Sequence, residues 1–197
     1  MKLLIATNNR NKAREISEIL HPYFDDIQTL KDAGIEIEVE EDGTTFQENA
    51  IKKAEETLKV ADGFDAVLSD DSGLMVDALG GAPGIYSARY SGEEHNDEKN
   101  KEKLLSELKD VPEDKRTARF ACSIALARKN AETICVIDYA EGRIGFEQHG
   151  DKGFGYDPLF YYPPLGKTFA ELEPEVKNSL SHRHKSLIRM KEEIEKL

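Results

Sequence analysis

Two adjacent carboxylates set in an apolar stretch constrain this chain more than any other feature. Residues 66–68 and 74–76 are short apolar runs that read as buried strand, and Asp70 and Asp71 stand between them with Ser72 and Gly73 behind. Burying carboxylates is expensive, so such groups persist at the end of a core strand when a cation, a donor network or water satisfies them. A hard cation such as Mg²⁺ takes one or two carboxylates plus phosphate oxygens and water. Two readings stand open on this quartet: a metal-phosphate site, or a polar turn, since Asp, Ser and Gly are turn residues. The next segment of the chain favours a ligand. Gly80, Gly81, Ala82, Pro83 and Gly84, then Ser87, Arg89, Tyr90, Ser91 and Gly92, read as a long backbone-permissive loop with a cation inside, and loops of that kind let a backbone approach a ligand closely.

At 197 residues the chain is long enough for a sizeable core and is expected to form a single domain, residues 1–197, with room for two lobes. Its formal net charge of −12 argues against a nucleic-acid duplex or an anionic membrane as partner, because both would be repelled at long range. No apolar run approaches the length of a membrane span, and the chain opens without a signal-peptide cleavage pattern, so a cytoplasmic location is expected. Cys122 and Cys135 lie in apolar segments without CxxC spacing and read as buried free thiols.

In chain order, residues 2–6 read as a core strand running into Thr7-Asn8-Asn9-Arg10-Asn11-Lys12, followed by a helix with Ala13, Ile16, Ile19 and Leu20 on one face. A strand, a polar loop and a helix in that order aim free backbone N–H groups at the loop, which makes an anion site; the plain alternative is an Asn-rich helix cap beside an exposed lysine. Ile37 and Val39 alternate with acids across residues 36–41, as in a half-exposed strand, and Glu40 and Glu41 precede the Asp42-Gly43 turn. Thr45 and Glu48 have capping-box spacing, and the helix they open carries Phe46, Ala50, Ala54 and Leu58 on a common face. An amphipathic helix with Leu104, Leu105 and Leu108 comes next. Residues 117–127 and 133–140 then read as a strand hairpin turning around Lys129 and Asn130. The order predicts an α/β protein with a mixed sheet.

A second polar constellation lies near the C-terminus. Phe154, Gly155, Tyr156 and Asp157 stand on a glycine-kinked loop before a strand at residues 159–162, while Lys177, His182 and Arg183 gather around the start of a final helix. Purine bases are held by aromatic stacking and by hydrogen bonds at their edges, so these residue types suit a base pocket. Taken alone, the same residues also make an ordinary turn and a basic helix start.

Four separated motifs nevertheless agree. The run from Thr7 to Lys12, residues 69–92, residues 153–158 and Ser181-His182-Arg183 together resemble the inosine/xanthosine triphosphate pyrophosphatase family, the house-cleaning dITP/XTP diphosphatases, in order and over essentially the whole chain. The resemblance implies an elongated mixed β-sheet flanked by helices, with two lobes and the active site in the cleft between them, usually as a homodimer. It implies hydrolysis of ITP, dITP and XTP to the monophosphate and pyrophosphate, with Mg²⁺. Residue by residue, it implies that Thr7, Asn8, Asn9, Arg10, Asn11 and Lys12 bind the triphosphate and that Glu40 and Asp71 hold the metal. Asp71 also matches the proton acceptor and Ser72 a substrate contact. Phe154, Gly155, Tyr156, Asp157, Lys177, His182 and Arg183 match nucleotide-binding positions. Two alternatives remain: a non-catalytic nucleotide-sensing module, which gives no reason for paired acids, and a pyrophosphatase for other modified nucleotides.

Overall fold

The computed structural model describes residues 1–93 and 96–197, and the side chains of all of these except Arg10 and Asn11. In chain order it contains β1 (Lys2–Ile5), α1 (Arg10–Leu20), β2 (Asp26–Thr29), α2 (Phe46–Val60), β3 (Ala66–Val76), α3 (Asp97–Glu107), β4 (Thr117–Arg128), β5 (Ile134–Ile144), β6 (Phe160–Tyr162), β7 (Lys167–Thr168), α4 (Pro174–Leu180) and α5 (His182–Ile194), with short 3₁₀ turns between them. The strands form one sheet in the order β2-β1-β3-β4-β5-β6-β7. It is mixed: β1 runs parallel to β2 and β3, whereas β6 is antiparallel to β5 and β7. β4 and β5 are neighbours joined by residues 129–133, too short a connection for a parallel crossover, which needs a dozen residues or more. Asn130 makes that turn with a φ of 58°.

The chain divides into two compact units, one of Met1–Asp71, Cys122–Asp138 and Arg183–Leu197, the other of Ser72–Ala121 and Tyr139–His182. In the first unit Leu3, Leu4 and Ile5 are fully buried, as strands covered on both faces require. One face of the sheet packs Leu3, Ile5, Ala66 and Leu68 against Ile16 and Leu20 of α1 and Leu187, Met190 and Ile194 of α5. Leu4 and Val67 turn the other way, toward Leu30, Phe64 and Leu58 at the end of α2. The core of the second unit joins Leu104 and Leu108 of α3 to Leu74, Val76, Phe120, Phe160 and Phe169.

Three local expectations differ from what is found. The two apolar runs about the carboxylates are one continuous strand, β3, so Asp70 and Asp71 occupy its middle and not its end or a turn. The strand tolerates them because each carboxylate has a polar partner, Lys12 for Asp70 and Asn49 for Asp71. Residues 36–41 form no strand: Ile37 and Val39 are half-buried and Glu36, Glu38 and Glu40 exposed, but the segment joins no ladder. Alternation reports one covered face, which an extended segment lying on a core provides without a strand partner. Residues 84–89 form a 3₁₀ helix, Gly84–Arg89, within the region expected to be open loop. The Ser87 hydroxyl fastens it, accepting from the Leu74 N–H at 2.9 Å and donating to the Gly84 carbonyl at 2.6 Å.

Candidate active site

Because successive side chains of a strand point to opposite faces, Asp70 and Asp71 meet different neighbours. Asp70 faces α1 and α5. Its Oδ2 lies 2.8 Å from Lys12 Nζ and 3.5 Å from Arg183 Nε, and Arg183 Nη1 lies 3.0 Å from Glu15 Oε2. Lys12, Asp70, Arg183 and Glu15 thus form a chain of alternating charge, with Lys12 and Glu15 one turn apart on α1. Burial would raise the Asp70 carboxyl, but Lys12 and Arg183 overcome it and hold the group well below the usual carboxylate range.

Asp71 shares a face with Ser69, whose hydroxyl donates to the Ala50 carbonyl of α2 at 2.5 Å. Its Oδ2 accepts from Asn49 Nδ2 at 3.1 Å. Burial first, then the charges of Glu41 and Asp70, push the Asp71 carboxyl up from 3.8 to about 6, against the opposing effects of Asn49 and Lys12. Adjacent residues of one strand are therefore shifted in opposite directions. Lys53, one turn beyond Asn49 on α2, pairs with Glu41 at 2.6 Å. Its ammonium is disfavoured by burial, yet Glu41 and then the two aspartates raise it overall.

Around α1, Asn9 accepts from the Lys12 N–H at 3.3 Å and donates its own N–H to Thr7 Oγ1 at 3.2 Å. The helix start is thereby capped, and Thr7, Asn8 and Asn9 are half-buried or exposed. The expectations for the side chains of Arg10 and Asn11 lie outside the described residues. Glu40 is exposed, and its charge acts on Lys52; within the acidic run it is Glu41 whose charge bears on Asp71.

In the second unit, Ser72 is half-buried on β3. Asp157 is buried, and its Oδ2 accepts from the Phe154 N–H at 2.9 Å and pairs with Lys177. The Lys177 ammonium also sits 4.7 Å from the centre of the Phe154 ring, which is 49% exposed. Gly155 N–H donates to Asp97 Oδ2 at 2.9 Å. Tyr156 is turned into the core, its hydroxyl donating to the Ser87 carbonyl at 2.8 Å. The His182 imidazole stacks on Phe120, centres 5.0 Å apart and planes 15° apart.

Of the residues singled out from sequence, Lys12 and Arg183 meet on Asp70, and Phe154, Asp157 and Lys177 meet on one another. Sequence reasoning offered Asp70 for a metal-phosphate site without separating it from Asp71, left Glu41 open as a neighbour of Glu40, and gave no role to Glu15, Asn49, Lys53 or Asp97. Asn49 carried a usable signal, as a polar residue within the stripe of Phe46, Ala50 and Ala54 that α2 buries. Glu15, Lys53 and Asp97 look like ordinary surface charge until the fold pairs them.

The model of the Ham1 family matches residues 3–193. A curated dITP/XTP pyrophosphatase of Halalkalibacterium halodurans is 52% identical over 185 residues, covering 93% of this chain and 94% of that protein. One of Clostridium perfringens is 48% identical over 197 residues, covering 98% and 97%. The solved structure of the Staphylococcus aureus Ham1 protein superposes with a TM-score of 0.90 at 40% identity, covering 99% of this chain and 98% of that one.

Proposed function

The chain belongs to the Ham1 family, and from that premise we propose that it is a nucleoside triphosphate pyrophosphatase. It hydrolyses non-standard purine nucleoside triphosphates, namely ITP, dITP and XTP, to the monophosphate and pyrophosphate, removing them from the nucleotide pool. The observation that carries this reading is Asp71, a buried mid-strand carboxylate pushed up to about 6 beside a lysine-bearing helix start. A nucleotide-sensing module would have no use for it. At neutral pH such a group is ionised yet basic enough to accept a proton, which suits a base or an orienter of the attacking water.

The assigned roles follow the resemblance. Thr7, Asn8, Asn9, Arg10, Asn11 and Lys12 take the triphosphate, with Ser72 as a further contact. Lys12, held by Asp70, places positive charge for the leaving pyrophosphate. Phe154, Gly155, Tyr156, Asp157, Lys177, His182 and Arg183 recognise the nucleoside. A 6-keto purine accepts a hydrogen bond where adenine would donate one, and a buried donor left unpaired costs roughly 1 to 3 kcal/mol. The Arg183 guanidinium is already engaged by Glu15 and Asp70, so it reaches a base with its geometry preset.

The metal of this reading is Mg²⁺. Among the described residues no group of three or more His, Cys, Asp or Glu stands at metal-binding spacing, and Asp71 is a buried carboxylate crowded by other acids. That donor set fits an ion which takes one or two carboxylates and completes its shell with phosphate oxygens and water. Asp71 would hold it with Glu40, as the resemblance implies, or with Glu41, as the charge coupling suggests. When bound, it supplies Lewis-acid withdrawal of charge from the phosphates.

The same reading takes the working form as a single-domain protein in the cytoplasm, a homodimer whose partner is the nucleotide and neither nucleic acid nor membrane. No helix among the described residues is long and apolar enough to cross a membrane. A pyrophosphate-release panel across ITP, dITP, XTP, GTP and ATP, with and without Mg²⁺, tests the proposal. The expected result is Mg²⁺-dependent pyrophosphate release with at least about a tenfold preference for the first three. Release of orthophosphate, or equal rates on ATP, would overturn it, and a preference for another damaged base would move the substrate class.

A further inference from the structure

Beside the two aspartates is a buried side chain with no part in the proposed binding of phosphate, metal or base. Asn49 is 1% exposed, donates from Nδ2 to Asp71 Oδ2 at 3.1 Å and accepts at Oδ1 from the Gly43 N–H at 2.8 Å. An amide buried in a helix's apolar stripe is costly unless both ends are paired, and here an acceptor on one side and a donor on the other fix which end is oxygen. The element carrying it is fastened at its start. Thr45 and Glu48 form a reciprocal capping box, and the Thr44 N–H donates to Glu48 Oε2 at 2.7 Å. The Ser69 hydroxyl, on the same strand as Asp71, holds the Ala50 carbonyl.

Gly43 completes the arrangement by what it lacks. A Cβ there would lie 2.6 Å from Asn49 Oδ1 and 2.9 Å from Glu48 Cβ, so any side chain would push the amide off its line to Asp71. The turn that ends the acidic run, the first turns of α2 and the middle of β3 are thereby joined through one amide.

We propose that Asn49 is a positioning residue for the hydrolytic step, fixing the orientation of the Asp71 carboxylate through Nδ2 while Gly43 aims the amide through Oδ1. With Oδ2 engaged, Oδ1 is the oxygen presented to the reaction. A carboxylate turns readily about its last bond, and misplacing a reacting group by about 1 Å costs on the order of 10²-fold. The kinetic consequence rests on the pyrophosphatase reading; the geometric claim does not.

The test uses the full chain carrying Asn49→Ala, Asn49→Asp or Gly43→Ala. Asn49→Asp keeps the shape and the acceptor for Gly43 but removes the donor, so it separates positioning of Asp71 from support of the loop, and it serves if Asn49→Ala fails to fold. Crystal structures of the Asn49 variants should show the Asp71 carboxylate rotated from its wild-type orientation. With dITP, kcat should fall about 10- to 100-fold in all three variants while KM stays within about threefold. An Asp71 carboxylate that superposes on the wild type in Asn49→Asp would overturn the proposal, as would kcat within about twofold or a loss carried by KM. If the wild type itself releases no pyrophosphate, the functional reading fails, and the crystal comparison still decides the positioning claim.

Discussion

In the second unit, Asp157 is buried among donors of its own unit: the Phe154 N–H and the Lys177 ammonium converge on one of its oxygens. In the first unit Asp70 is treated alike, gripped by Lys12 and Arg183, but at its neighbour Asp71 burial and two acids outweigh the neutral Asn49 amide and the charge of Lys12. Buried carboxylates whose charge is matched hold structure in place. The one left short of positive charge keeps a raised proton affinity, and that is what chemistry on water needs. On the proposed reading, the glycine loop of the second unit serves shape and the acidic centre of the first serves reactivity.

The comparison breaks most visibly at Asp71. Asp71→Asn should lower kcat for dITP by about 10² to 10⁴-fold, the usual worth of a general base, while the dissociation constant for the nucleotide stays within a few-fold. An unchanged rate would remove Asp71 from the mechanism, and Glu40→Gln beside Glu41→Gln would then show which acid carries the function.

The same substitution has an opposite effect on stability. A carboxyl raised in the folded state stabilises fully below its unfolded value of 3.8, and that contribution is lost as pH rises through about 6. Asp70, lowered in the folded state, stabilises above its unfolded value and loses that only on acidification. Metal-free Asp71→Asn should therefore be more stable than the wild type at pH 8, by up to about 3 kcal/mol, with the gain vanishing toward pH 4. Thermal melts in chelator across that range check it; a gain independent of pH would mean that Asp71 is not held raised.

How far the chain itself disclosed this depends on the kind of contact. The strand and helix of residues 2–20, the capping box at Thr45 and the hairpin at Asn130 follow from local periodicity and turn chemistry, and all are found. Strand β2, Asp-Ile-Gln-Thr, has no buried residue and gave no alternation to detect. Asp70 and Asp71 were legible as buried carboxylates, but not as members of one strand. Treated as a strand end, they seemed to share one environment, whereas period-two alternation on a continuous strand sends them to opposite faces. Which partner reaches which aspartate could not be read locally, because Lys12, Asn49 and Arg183 come from three helices far apart in the chain.

The smallest expected effect sharpens the other half of the comparison. At Gly153, φ is +78° and a Cβ would lie 2.1 Å from Asp157 Oδ2; at Gly155, φ is +58° and a Cβ would meet nothing within 4 Å. Both alanine variants bear the strain of a left-handed backbone, about 1 to 2 kcal/mol, but only Gly153→Ala also displaces Asp157 from the Phe154 N–H and from Lys177. If the loop acts through shape, Gly153→Ala should raise KM for dITP several-fold beyond Gly155→Ala, each 1.4 kcal/mol counting about tenfold. The kcat at saturating dITP should stay within about threefold of the wild type in both, the reverse of the split expected at Asn49. Equal KM values for the two variants would assign the effect to backbone strain and leave the Asp157 clamp without a part in recognition.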